Sequence, residues 1–376
     1  MIRWAMLILG IETSCDETSM SVLSTEGSLP VLWRGSASGG KGQKIKILSN
    51  VISSQVKIHA KYGGVYPALA AREHAKNIDK VLKLALKEAG LKSVEEIDLI
   101  AVTAGPGLAV ALIVGITFAK TLAWKYKKPI VGINHLEGHI YSNWLPVSKK
   151  SSDLASLSNQ IFPALNLIVS GGHTELVLMP DHGKYKLIGE TVDDAAGEAF
   201  DKIARILGMG YPGGPFVSAE AERFSEKDGF LGLSLPRPML SSKNLNFSFS
   251  GLKTAVLYMV RDLVNSSWPL ESIRSEIAHE SQQSIIDILV YKTLQAVKKY
   301  KVKSVLLSGG VSANKLLRET LENKINELGK IKFFKPLMAY TTDNAAMIAL
   351  AGYFNYAKGK KKTDWQSVMV NPNLRI

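Results

Sequence analysis

His135 and His139 stand four residues apart in Asn134-His135-Leu136-Glu137-Gly138-His139. On a helix, that spacing puts both imidazoles on one face. Only 7 His occur in 376 residues. Two imidazoles so placed can grip one metal ion, although helices without a metal also carry such pairs. In the HExxH pattern the Glu follows the first His directly and serves as general base of a zinc protease. Here the Glu is third. At about 100° per residue, Glu137 turns roughly 200° away from His135, which argues against that mechanism. Asp343 follows Thr341-Thr342 and opens the helical run Asn344 to Ala351. It either caps that helix, as Thr342 could, or supplies a third ligand. The second choice gives two His and one carboxylate with open positions for a substrate oxygen.

Two glycine turns suit a phosphate. Ser170-Gly171-Gly172 and Ser308-Gly309-Gly310 each follow an apolar strand-like run. Glycine lets successive backbone N–H groups approach an anion, and a helix start adds a favourable dipole. Tyr211-Pro212-Gly213-Gly214-Pro215 is a tight loop that could lie against a ligand or be only a turn. There is no P-loop, and Gly208-Met209-Gly210 lacks the strand and helix of a dinucleotide fingerprint. Asp193, Asp194, Glu198 and Asp201 form an acidic cluster. Four carboxylates would not all face a phosphate cleft, so caps and surface account for most of them. Asp201 could bind a ribose hydroxyl.

The elements that must position these groups occur in two kinds, each twice. Met6–Ile11, a polar turn and Ser19–Leu23 form strand, turn, strand; so do Ala164–Val169, the turn at 170–174 and Glu175–Met179. Ile97–Val102 leads through Ala104-Gly105-Pro106-Gly107 into a long helix, and Ser304–Leu307 leads through a glycine loop into a helix at 315–328. Helices over 68–89 and 277–300 show apolar residues at helical spacing. The alternation predicts an α/β chain of two related lobes. The lobes are placed at 1–130 and 131–349, with a C-terminal helix over about 350–376 packing back on the first. Gly39 to Lys44 reads as a flexible hairpin insert, and 148–160 as an exposed loop.

Composition is that of a soluble globular protein, with 46% apolar and 21% charged residues. The lone Cys15 excludes an intramolecular disulfide and fits a reducing compartment. No secretory or transit signal is read at the start, so a cytoplasmic location is expected. The stretch from Gly107 to Trp124 is nearly all apolar, but its Lys120, two glycines and preceding strand favour a helix of an α/β core over a membrane span. A formal net charge of +13 favours a polyanion, above all nucleic acid. The cluster Lys358, Lys360, Lys361 and Lys362 could instead be a solvated tail.

These motifs, in order along nearly the whole chain, resemble the TsaD (Gcp) family of tRNA threonylcarbamoyl transferases. The resemblance rests on Gly10 to Thr18, Lys61-Tyr62-Gly63-Gly64, Arg72-Glu73-His74, Gly105-Pro106-Gly107 and His135 to His139. It continues with Val169 to Thr174, Asp193 to Lys202, Tyr211 to Pro215, Asn246 to Thr254, Ser308 to Asn314 and Thr342 to Met347. The opening run and the Gly-Gly-His-Thr turn are of bacterial type. The resemblance implies an actin-like ATPase fold (sugar kinase, Hsp70 and actin type). It implies transfer of threonylcarbamoyl from threonylcarbamoyl-AMP to the exocyclic amine of the adenine beside the anticodon of ANN-decoding tRNAs, with release of AMP. His135, His139 and Asp343 then bind iron or zinc. Ile168, Val169, Ser170, Gly171, Gly172, Asp201, Gly214 and Asn314 then line the adenylate pocket. Ser218 stands where some relatives have an acidic residue, and the stretch Thr25 to Lys46 is longer than is usual there.

The implied chemistry is consistent. An aromatic amine is a weak nucleophile, so the carbonyl must be polarised, which an open metal position does. Asp16 or Glu17, in the first turn, is the candidate general base; Asp16 could instead only tie the turn. The paralogue TsaB, the small ATPase TsaE and a homodimer are the partners implied. The competing readings are a metalloprotease of the O-sialoglycoprotein endopeptidase type and a non-catalytic nucleotide-binding scaffold.

Overall fold

The computed structural model describes residues 5–26, 44–146, 152–153, 161–225, 231–357, 359 and 364–376. The expected insert at 39–44 lies outside these, save Lys44. So do Lys358, Lys360, Lys361 and Lys362, and most of 148–160. Strands β1 (Ala5–Glu12), β2 (Glu17–Glu26), β3 (Lys44–Ser54), β4 (Leu99–Gly105), β5 (Ile130–Asn134) and β6 (Ser152–Asp153) form one sheet in the order β5-β4-β1-β2-β3-β6. Strands β7 (Ala164–Val169), β8 (Thr174–Asp181), β9 (Lys184–Glu190), β10 (Ser304–Ser308) and β11 (Lys332–Phe334) form the second, β11-β10-β7-β8-β9.

The duplication is topological. In each sheet the first three strands run antiparallel and the next two add in parallel beside the first. Parallel strands are covered on both faces. Accordingly every residue of β4, β7 and β10 is buried. The chain is therefore an α/β protein of two lobes, as the alternating pattern predicts. The expected lobe boundary at 130/131 falls inside β5, and β5 pairs with β4 in the first sheet.

Helices α1 (Val56–His59), α2 (Pro67–Glu88) and α3 (Ala109–Tyr126) belong to the first lobe. α2 buries Ile78, Val81, Leu82, Ala85 and Leu86, one stripe at helical spacing, and has Pro67 at its first turn. Among the described residues, α3 is the one helix long and apolar enough to cross a membrane. It packs one face on the sheet through Leu112, Ile116, Ala119 and Ala123, and leaves Val110, Ile113 and Trp124 in solvent. Helices α5 (Ala196–Ile206), α6 (Gly213–Ala221), α7 (Ser250–Asn265), α8 (Leu270–Tyr300) and α9 (Lys315–Glu327) cover the outer face of the second sheet.

Between the two sheets lie α4 (His135–Tyr141) and α10 (Ala345–Ala357). One central core joins Ile8, Ala101 and Ile133 of the first sheet to Ile168, Val177 and Leu306 of the second through these helices. All of α4 is buried, as is α10 from Ala345 to Asn355. Close approach needs glycine here. A Cβ on Gly10 of β1 would stand 2.1 Å from the Ala345 carbonyl oxygen, and one on Gly352 would stand 2.4 Å from the Ala101 Cβ.

The C-terminal helix ends at Ala357, not near 376. Residues 364–376 contain only one short 3-10 turn, at Trp365–Ser367. Asn371-Pro372-Asn373 cannot continue a helix, since proline lacks the N–H and disfavours helical φ/ψ before it. The tail docks by backbone instead. Asn371 N–H donates to the Ala104 carbonyl (2.9 Å) and Gly107 N–H to that of Pro372 (3.2 Å). Gly105, at φ 151°, would place a Cβ 1.7 Å from the Asn371 oxygen.

Candidate metal and acyl-transfer site

Asn134 starts α4: its side-chain oxygen accepts from the N–H groups of Leu136 (2.9 Å) and Glu137 (3.4 Å). That cap projects His135 and His139 on one face, with ring centroids 4.6 Å apart and planes at 80°. Asp343 precedes α10, so the two central helices bring the three residues together. Asp343 Oδ1 lies 3.4 Å from His135 Nε2 and 3.2 Å from His139 Nε2. One ligand atom from each of the three falls within 4.8 Å of the others. The helix cap is not Asp343: Asn344 Oδ1 accepts from Met347 N–H (3.2 Å). Asp343 is thereby left to the site.

The residues fit a metal ion. His139 is fully buried, and neither of its ring nitrogens makes a hydrogen bond, Nε2 being near Asp343 but poorly aligned with it. A buried imidazole without a partner is costly, and a cation on Nε2 would relieve that. Sequence reasoning missed Glu12, which holds the other imidazole. Its buried carboxylate accepts from Thr103 Oγ1 (2.7 Å) and His135 Nδ1 (2.9 Å). With the proton on Nδ1, His135 Nε2 faces Asp343 as a ligand, the usual way a carboxylate orients a metal-binding His. A Glu in the apolar strand β1 was the available signal.

Charge is dense at this point. Burial opposes a charge on His135, but Asp343 and Glu12 beside it hold its pKa well above the ordinary imidazole value. Burial likewise pushes the carboxyls of Asp343 and Glu12 up, yet His135 draws both below their usual range. Burial depresses His139. His173, in the turn after β7, is lowered to about 4 by burial and by the nearby His135 and His139. It therefore stands beside the cluster as a neutral imidazole. Its place in Gly-Gly-His-Thr was legible, its proximity was not.

Asp16 ends the β1–β2 turn and Glu17 opens β2. Burial and the charges of Asp16 and Asp343 push Glu17 up to about 10, so in the metal-free protein it carries a proton at neutral pH. The turn is held by His74, which hydrogen-bonds Thr18 Oγ1 (2.8 Å) and the Cys15 carbonyl (3.0 Å). Glu137 does turn away: it accepts from Tyr185 Oη and Asn355 Nδ2, both at 2.8 Å.

The residues expected to line an adenylate pocket begin at the C-terminal end of β7. Ile168 and Val169 end β7 with buried side chains, so only their backbone could meet a ligand. The turn Ser170-Gly171-Gly172 follows, and a Cβ on either of its glycines would meet nothing within 4 Å. Gly309, at φ 88°, packs on the Val169 backbone, which sets the two glycine turns side by side. Asp201 Oδ1 accepts from Gly213 N–H (2.6 Å) at the start of α6, beside Gly214. Burial raises the Asp201 pKa. Asn314 caps α9 through Leu317 N–H (2.9 Å) and donates to Gln282 Oε1 (2.7 Å) and Ser218 Oγ (2.9 Å). Its side chain is fully engaged in the protein, and Ser218 serves it. Asp193 caps α7 through Phe249 N–H, and Asp194 and Glu198 pair with Lys202.

A sequence model of TsaD, tRNA N6-adenosine threonylcarbamoyltransferase, matches residues 46–350. The chain belongs to this family. It is 45% identical over 371 residues to the tRNA N6-adenosine threonylcarbamoyltransferase of Thermosipho africanus, covering 99% of this chain and 100% of that one. It is 44% identical over 355 residues to that of Bacillus subtilis, covering 94% and 92%. The chain is thus a transferase that modifies tRNA. Its fold is similar to that of full-length HypF in its phosphate- and nucleotide-bound form, with TM-score 0.54 and 12% identity. That match covers 97% of this chain and 47% of HypF, so the chain spans about half of that protein. The likeness is one of fold alone.

Proposed function

We propose that the site transfers threonylcarbamoyl from threonylcarbamoyl-AMP to N6 of the adenosine beside the anticodon of ANN-decoding tRNAs, releasing AMP. The carrying observation is the group of buried His135 and His139 with half-buried Asp343, together with the open Gly171-Gly172 turn, in a chain of this family. Two imidazoles and one carboxylate suit Fe2+ or Zn2+. Bound there, the ion would supply Lewis acidity to the carbamoyl carbonyl. The N–H groups of Gly171 and Gly172 hold the adenylate phosphate, in a turn closed by the Ser170 N–H on the His173 carbonyl (2.8 Å), and Asp201 reaches the ribose. Glu12 fixes His135. Asp16 takes the proton from the attacking amine. Glu17, protonated when no cation is near, is the neighbouring carboxyl. Glu137 bridges Tyr185 and Asn355, which argues against the metalloprotease reading.

The protein acts in the cytoplasm with TsaB and TsaE or as a homodimer. The test is transfer of labelled threonylcarbamoyl from its adenylate to unmodified tRNA, with and without those partners. Transfer that is lost in His135→Ala with Asp343→Ala supports the site. Full transfer in that double variant would sink the metal mechanism, and no transfer in any combination would sink the function.

A further inference from the structure

The segment from Gln55 to Arg72 contains Lys57, His59, Lys61 and Arg72 and no Asp or Glu. It also carries two of the most exposed aromatic rings in the described structure, Tyr62 at 63% and Tyr66 at 56% exposure. Their ring centroids lie 5.9 Å apart with planes at 33°. Exposed tyrosines usually sit on mobile loops, but this segment is held at many points. His59 Nδ1 accepts from Tyr66 N–H (3.2 Å), and its Nε2–H donates to Gln55 Oε1 (3.1 Å). Gln55 Nε2 donates to the Ala70 carbonyl (3.3 Å). Gly63, at φ 65°, ends the turn that carries Tyr62, and Arg205 of the other lobe donates to its carbonyl (2.6 Å).

The segment is also tied to the cleft. Gln55 N–H donates to the Asp16 carbonyl (3.0 Å), and Ser54 Oγ donates to Glu17 Oε1 (3.1 Å). Two exposed rings, with Lys61 next to Tyr62 in the chain, therefore stand on a braced segment that hydrogen-bonds the backbone at Asp16. Unpaired RNA bases stack on aromatic rings while cations take their phosphates. Tyrosine suits this because fixing it costs little side-chain entropy.

We infer that Tyr62 and Tyr66 form a stacking platform for unpaired bases of the tRNA anticodon loop, with Lys57 and Lys61 holding the adjoining phosphates. This rests on tRNA as the substrate but not on the metal or on the identity of the acyl donor. The platform grips bases that flank the target, so that the target adenine is presented to the cleft beyond it.

The test is binding of a fluorescently labelled anticodon stem-loop RNA to the full-length protein, read by anisotropy, beside transfer kinetics. Tyr62→Ala and Tyr66→Ala each weaken binding about tenfold and raise KM for tRNA with kcat nearly unchanged. Tyr62→Phe and Tyr66→Phe bind as the unaltered protein does, since the ring is kept. Lys57→Ala with Lys61→Ala makes the slope of log affinity against log salt shallower by about 1.4, roughly 0.7 for each lost phosphate contact on a single strand. Alanine variants that bind the RNA normally would overturn the platform. So would Phe variants as weak as the Ala ones, or variants that lose a protein subunit while RNA binding is intact. If the unaltered protein modifies no tRNA, the functional reading fails separately, and the binding comparison still decides the platform.

Discussion

Protonation of His135 sets the terms on which a cation can enter the site. Asp343 and Glu12 favour its charged form, so binding at Nε2 must release a proton there. Glu12→Gln removes one carboxylate and leaves shape nearly unchanged. Zinc or iron affinity, measured by equilibrium dialysis, should fall about 10- to 100-fold, with far-ultraviolet circular dichroism unaltered. Glu17 gives the opposite sign of pH dependence from an ordinary salt-bridged acid. Its folded pKa is raised to about 10 from 4.5. Its stabilising share is therefore complete below about pH 4.5 and is lost as pH rises toward 10. In metal-free protein, Glu17→Gln should raise stability by about 1–3 kcal/mol near pH 8, with the gain vanishing near pH 4.5 in urea unfolding. At this scale the sequence was partly readable. The spacing of His135 and His139 follows from one helix, and Asp343 from a polar residue before another. The contacts of Glu12 and His173 with them depend on how distant segments fold together, which no local pattern encodes.

Elements were legible where a period was clear. β7 was placed at its observed limits, and α2 and α9 to within about a residue. The N-terminal reach of α8 to Leu270 was missed because its first turns, Glu271 to Glu276, are polar except for the buried Ile273. The C-terminal helix, expected over about 350–376, ends at Ala357, because the apolar run that supports it stops before the Lys-rich segment. What the periodicity could not show is that α10 lies in the central layer, with Asp343 two residues before its start. Gly10 permits that approach. Gly10→Ala should push the start of α10 from β1, lowering stability by about 3 kcal/mol and displacing Asp343. Calorimetry would show the first effect and loss of stoichiometric metal the second. A variant with intact metal binding would mean that α10 shifts without carrying Asp343.

At the scale of the molecule, one five-strand plan is repeated in both sheets, and the whole chain carries a formal net charge of +13. Affinity for tRNA should accordingly fall at least about tenfold between 50 and 200 mM salt, in filter-binding titrations, while affinity for the small adenylate changes far less. Equal salt dependence of the two ligands would mean that the basic surface does not serve the RNA. The three metal-binding side chains have a further consequence during synthesis. Two lie at residues 135 and 139, the third at 343, and the helix that seats it ends at 357. A nascent chain still threaded in the ribosome tunnel cannot assemble the pocket, however completely its first sheet has formed. Chains terminated before residue 343 thus lack one of the three ligands, and loading with the ion reports that translation passed that residue.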